Sequence, residues 1–253
     1  MFSQRYFSYL MALGLLLVGA DVTVASTPFS ANTIARAKVS TTKVLFKPSS
    51  KDRRPLRTVG AGSRGGQCPQ DLAAEPISSR ASNPLPLMAL VPPNNAGLTV
   101  AERPTFWMYL PQTSATQIVL SVQTEEASPH SQVFLSMPST AGVVSLQLPA
   151  DAPPLKIGKP YQWAVVLVCG DRPSPNDPAI AAWVTRVEPS QSIPPSTALD
   201  RASWHGEQGL WYDMLTALGQ ELRSKSPHSD LTDVWANVLK SEGLETAALE
   251  PLH

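Results

Sequence analysis

The sequence predicts a mainly β protein: an antiparallel β-sandwich followed by a small α-helical hairpin packed on it. Three observations carry this. Between 85 and 187, short runs rich in Val, Ile, Leu, Phe and Trp recur at even spacing, separated by Pro- and Asn-rich turns. Proline supplies 25 of 253 residues, about twice the usual ~5%, and so blocks long helices while punctuating strands. Beyond Pro194-Pro195 the apolar spacing switches from two residues to the helical period.

In chain order, residues 1–25 read as a signal peptide. Arg5 is a minimal positive start, 7–20 is apolar but shorter than the ~20 residues a bilayer span needs, and small residues precede a cut near Ala25. An uncleaved anchor is the alternative, and no second apolar run is long enough to span once the signal is removed. Residues 26–60 are Ser-, Thr-, Pro- and Lys/Arg-rich and read as a disordered basic linker, because they offer too little apolar surface to offset ordering entropy. The sandwich domain is expected over 61–190 and the helical region over 191–253.

The expected strands are 85–91, 105–110, 117–122, 132–137, 143–148, 161–169 and 180–187. Val144, Leu146 and Leu148 alternate with Ser145 and Gln147, as in a strand with one wet face. The 106–110 and 161–169 strands are apolar on both faces, so their outer faces need a cover. Tyr161 follows the leader L-x-x-G-x-x-Y at 155–161. That pattern resembles the corner entering a late strand of an immunoglobulin- or fibronectin-like sandwich, where the hydroxyl bonds to the upstream backbone.

Ser196 or Thr197 is placed to cap a helix running to Gln208, which Gly209 breaks. A second helix from Trp211 to Ser224 carries Trp211, Met214, Leu215, Leu218 and Leu222 on one stripe. A third, from Asp230 to Ser241, presents Leu231, Val234, Trp235, Val238 and Leu239, with Gly243 as its C-cap. The G-L-W-Y-D-M-L run at 209–215 resembles the turn and second helix of a tetratricopeptide repeat. A single such unit points to a hairpin docked on the sheet rather than an array.

Chemistry is sparse. Zero formal net charge gives no pull toward nucleic acid. The Gly60–Gly65 match to G-x-G-x-x-G lacks the strand before and helix after that dinucleotide binding requires. His130, His205, His228 and His253 are scattered without metal-ligand spacing, and neither G-x-S-x-G nor H-E-x-x-H occurs. No catalytic residue, cofactor or metal is therefore expected. Cys68 and Cys169 are the two cysteines, and an even count in an exported chain points to a disulfide, the alternative being two separate thiols. Trp107, Trp163 and Trp183 read as core. Trp204, Trp211 and Trp235, with Tyr212 beside them, read as glue between helices and sheet, and whichever of them is exposed is the candidate partner surface.

Several fragments together resemble one family. They are G-S-R-G-G-Q-C at 62–68, L-M-A-L-V-P at 87–92, L-T-V-A-E-R-P-T-F-W-M-Y-L-P at 98–111, G-V-V-S-L-Q-L-P at 142–149, G-K-P-Y-Q-W at 158–163, A-W-V-T-R at 182–186 and G-L-W-Y-D at 209–213. In that order they resemble the domain-of-unknown-function 928 family of exported cyanobacterial proteins, over roughly 55–252. The resemblance implies cysteines kept at Cys68 and Cys169 as a structural pair, and carries no activity, ligand or catalytic residue. Met214 stands where family members often have Ala. The expected function is a non-catalytic, exported interaction module of the periplasm or cell envelope that binds another envelope protein by strand-edge pairing or a helical face. A carbohydrate- or cell-wall-binding module is the alternative, and a hydrolase with a dispersed triad a second one.

Overall fold

The computed structural model describes residues 44–49, 67–74, 85–190, 194–224 and 229–253. The signal peptide, the Gly60–Gly65 run, His228 and most of the basic linker lie outside these residues. The described chain is mainly β, with eight strands in two sheets and helices gathered toward the C-terminus. One sheet runs in the order β1 (Met88–Ala89), β3 (Thr105–Leu110), β6 (Gly142–Gln147). The other runs β2 (Ala96–Thr99), β8 (Ala179–Arg186), β7 (Pro160–Val168), β4 (Gln117–Thr124), β5 (Pro129–Ser136).

Period-two patterning sets which side of each strand is buried. Ile118, Leu120 and Val122 of β4 and Trp163, Val165 and Leu167 of β7 are buried and join the inward residues of β3 in one apolar core. Phe106 of β3 stacks on Trp163 of β7 with ring centroids 4.8 Å apart, which ties the two sheets together. Tyr161, at the start of β7, is buried, and its hydroxyl oxygen accepts the Lys156 N–H at 3.3 Å.

The sheet is not wholly antiparallel: β2 pairs parallel with β8, Ala96 opposite Trp183 and Thr99 opposite Arg186. Asn95 enters this strand in the left-handed region, at φ 59°. Its side chain donates to the Ala181 carbonyl at 3.0 Å, while the Trp183 N–H donates to the Asn95 carbonyl at 3.0 Å. Those two bonds set the parallel register.

Five helices occur among the described residues: α1 (Pro69–Ala74), α2 (Ala198–Glu207), α3 (Trp211–Leu222), α4 (Ser229–Ser241) and α5 (Glu245–Ala248). Thr197 caps α2 by accepting the Asp200 N–H. Gly243, at φ 77°, ends α4: its N–H and that of Leu244 bond back to the Lys240 and Leu239 carbonyls. Among the described residues no helix is long and apolar enough to cross a membrane.

The helices cover β3 on the side away from the other sheet. Trp107 meets Trp235 of α4 edge-on at 5.6 Å and lies so close to Gly219 of α3 that a Cβ there would fall 2.2 Å from the indole. Among the described residues the expected helical cover is not found on the outer side of β7. α3 packs on β2 and β3 instead. The outer side of β7 carries Gln162, half-buried Ala164 and Val166, and Val168, with Gln162 accepting from the Gln123 amide at 2.6 Å.

The linker expectation also needs correcting at 44–49. Val44 and Phe46 are buried in the core, Phe46 sits edge-on to Trp211 at 4.9 Å, and the Lys47 N–H donates to the Gly206 carbonyl at 3.0 Å. Two apolar side chains two residues apart, flanked by Lys43 and Lys47, are enough to make one extended strip with a buried side. The two sheets and the helices contribute to one hydrophobic core among the described residues.

Cys68 and Cys169 form a disulfide. It holds α1 to the end of β7, helped by the Gln70 amide, which donates to the Cys169 carbonyl at 3.2 Å. The Asp71 carboxylate accepts the Thr113 hydroxyl at 2.9 Å and the Ser114 N–H at 2.7 Å.

Candidate functional site

Three of the four aromatics expected to form a partner surface do not lie on a surface. Trp211, Tyr212 and Trp235 are buried. The reason is hydrogen bonding as well as packing. The Trp211 indole N–H donates to the Leu90 carbonyl at 2.9 Å. The Tyr212 hydroxyl accepts the Trp163 indole N–H at 2.7 Å and donates to the Trp183 carbonyl at 2.9 Å. Each polar end is thus satisfied inside the protein, and the pair acts as a wedge fixing α3 to both sheets. Trp204 is half-buried and packs edge-on to His205 at 5.0 Å. Trp107, Trp163 and Trp183 are buried too, as are Tyr109 and Tyr161, so no exposed pair of Trp or Tyr rings lies on either sheet among the described residues.

A polar cleft of about 230 Å³ opens beside this wedge, between α2, α3 and the chain leaving β2. Arg201 and His205, four apart on α2, share one helical face. Asp213, Thr216 and Gln220 line the facing side of α3, and Arg103 and Gln147 close the sheet side. These are the polar residues opposite α3's apolar stripe.

The electrostatics of the cleft are set by burial. The Asp213 carboxylate accepts the Val100 N–H at 3.1 Å. Desolvation pushes its pKa up to about 6, although bonds from Val100, the Thr99 hydroxyl and Ala101 partly hold it down. His205 moves the other way: burial, then the Arg201 charge, depress it to about 4, so the ring is neutral at pH 7. Its Nδ1 is buried without a hydrogen-bond partner. Arg103 is oriented by its Nε–H, which donates to the Ala152 carbonyl at 2.7 Å, while its own carbonyl accepts from the Gln147 amide at 2.8 Å. Thr216 is committed elsewhere, accepting from the Trp107 indole at 3.3 Å and donating to the Tyr212 carbonyl at 2.6 Å.

Among the described residues no hydroxyl or thiol is hydrogen-bonded to the His205 Nδ1. His130 contacts the Pro153 carbonyl at 3.0 Å and the Tyr161 ring at 4.8 Å. His253 contacts Thr140 at 3.2 Å and the Ala141 carbonyl at 2.9 Å. Among the described residues no group of three or more His, Cys, Asp or Glu is placed to hold a metal. Sequence reasoning treated these histidines singly and missed the cleft. The signal was the Arg201/His205 spacing on α2 and the polar Asp213/Thr216/Gln220 stripe on α3.

The second feature is the edge strand β5. It pairs on one side with β4, Phe134 opposite Val119, and ends the five-stranded sheet. Its residues His130 to Ser136 contain no Lys, Arg, Asp or Glu, and Phe134 is 53% exposed.

No curated protein matches this chain. The model of one family, described as Domain of Unknown Function (DUF928), matches residues 59–252, which takes in both sheets, the helices, the cleft and the β5 edge, and the chain belongs to that family.

Proposed function

We propose that this protein is a non-catalytic, exported interaction module of the cell envelope that binds a partner protein by adding a strand to the β5 edge. The observation that carries the reading is the edge itself. From His130 to Ser136 the backbone, half of whose N–H and C=O groups point away from β4, runs without the charged side chains that ordinarily guard such an edge. Main-chain bonds supply affinity in this mode, and Phe134 supplies a side-chain grip. The partner segment is extended, uncharged, and apolar at alternate positions, so that one of its side chains meets Phe134.

Export is supported by the short apolar run with small residues before Ala25 and by the disulfide, which persists in oxidising compartments. An immunoglobulin-like reading of the sandwich is supported by the strand order β1-β3-β6 against β2-β8-β7-β4-β5 and by the parallel first strand of the larger sheet.

The test is capture from envelope extract with the tagged chain and its Phe134→Lys variant, followed by hydrogen exchange on the complex. A partner retained by the parent chain, lost with the variant, and protecting β5 amides supports the reading. A partner held equally by both, or no partner enriched, overturns it.

A further inference from the structure

The cleft is independent of the β5 edge, and its chemistry is more selective. Two guanidinium groups, Arg103 and Arg201, line it with one carboxylate, Asp213, which accepts the Val100 N–H at 3.1 Å. Both guanidinium groups are partly engaged, Arg103 by the Ala152 carbonyl and by Glu102 at 3.7 Å and Arg201 by the Ser196 carbonyl, and their remaining N–H groups are what a guest would meet. Neutral groups complete the wall: the exposed Gln147 and Gln220 amides, the Thr105 hydroxyl and the His205 imidazole. The cleft measures about 230 Å³. That is room for one sugar-sized ring and too little for a helix or a strand.

We propose that this cleft binds a small hydroxy-carboxylate of the sugar-acid type. Its carboxylate meets Arg201 and Arg103, and its hydroxyls bond to His205 and the glutamine amides. Arginine suits the carboxylate because its planar fork matches two oxygens at once. His205 suits a hydroxyl because a neutral imidazole nitrogen accepts or donates according to tautomer. The same sugar acid can arrive free or as a unit of an acidic polysaccharide, and the chemistry of the cleft is shared by both.

Isothermal titration of the full chain at pH 7 with D-galacturonate, its linear trimer and D-galactose tests the assignment. The acid is expected to bind saturably and the neutral sugar not to. Tighter binding of the trimer identifies the polymer as the source, and equal binding per ring identifies the free acid. Arg201→Gln is expected to weaken binding about tenfold, the size of one lost charge-assisted bond. Gln220→Glu, at an exposed position where folding is insensitive, is expected to weaken it by charge repulsion while leaving the thermal midpoint unchanged. No binding at millimolar acid, galactose binding as well as galacturonate, or both variants retaining full affinity overturns the proposal.

Discussion

Asp213 and His205 line one cleft, yet burial moves their titrations in opposite senses, and the consequence for stability follows from proton counting. Asp213 titrates near 6 in the folded chain against an ordinary 3.8, so between those values the folded state holds a proton the unfolded state has released. Stability therefore falls as pH rises through about 4 to 6, where ionising Asp213 means ionising it in the cleft. His205 titrates near 4 against an ordinary 6.5, so over that window the unfolded state holds the extra proton. Its contribution rises with pH over the same range. The two slopes oppose each other, and their sum is close to flat between about pH 4 and 6. Removing either group exposes the other. His205→Gln is expected to make stability fall with rising pH relative to the parent chain, and Asp213→Asn to make it rise, as read from urea midpoints at pH 4.5 and 6. Profiles parallel to the parent in both variants would show that neither group titrates as its burial implies.

At the scale of elements, the docking of α3 turns on one hydroxyl. Tyr212 accepts from Trp163 and donates to Trp183, on adjacent strands of the larger sheet, while its ring meets Phe106 edge-on at 5.7 Å. Tyr212→Phe keeps the ring and removes the hydroxyl, leaving a buried indole N–H and a buried carbonyl without it. The expected loss is about 1–3 kcal/mol, measured as a lower urea midpoint with an unchanged m-value. An unchanged midpoint would mean that water takes the hydroxyl's place. The contact explains why Gly97 sits opposite: a Cβ there would come within 2.8 Å of the Tyr212 ring. It also marks where the sequence was legible and where it was not. β3 occupies the residues that its apolar run delimits, and Thr197 and Gly243 cap the helices they were expected to cap, because local patterning alone decides those features. β2 was not legible. Ala-Gly-Leu-Thr has no alternation, follows a Pro-Pro-Asn-Asn turn, and is a strand because it pairs with β8, 87 residues away at Ala96 and Trp183. α1 was hidden in a polar stretch whose order comes from the disulfide and Asp71. The cleft draws Arg103 from a loop, Arg201 and His205 from α2 and Asp213 from α3, and no short motif announces residues that only tertiary packing brings together. Trp211, Tyr212 and Trp235 are buried against the sheets, as their reading as glue between helices and sheet expects, and none of the three offers an exposed partner surface.

At the scale of the whole molecule, distant parts of the chain are brought back onto the sheets and helices at three places. Residues 44–49 pack on the α2–α3 junction. Near the C-terminus, the Val143 N–H donates to the Pro251 carbonyl at 2.7 Å and the His253 N–H to the Val143 carbonyl at 2.9 Å, so the tail runs along β6 and covers the edge of the smaller sheet. The disulfide is the third and the one covalent tie, joining cysteines 101 positions apart. A closure of that length restricts the unfolded chain by about 4–5 kcal/mol in the chain-entropy model. That is a large share of the 5–15 kcal/mol that typically separates folded from unfolded domains. The folded state has less to lose, since Gln70 and Asp71 also hold α1 to the end of β7 and to the 113–114 turn. The Cys68→Ala/Cys169→Ala variant is therefore expected to unfold several kcal/mol more easily and yet to keep the native fold at 25 °C. Two readouts separate these effects. Urea unfolding of the oxidised parent chain against the double variant measures the entropic tie, and hydrogen exchange at the Ser114 amide, which donates to Asp71, reports whether α1 stays docked. A stability change under about 1 kcal/mol would mean that the unfolded chain is already confined without the bond. Loss of protection at Ser114 under native conditions would mean that the disulfide, and not the Asp71 contacts, holds this corner together.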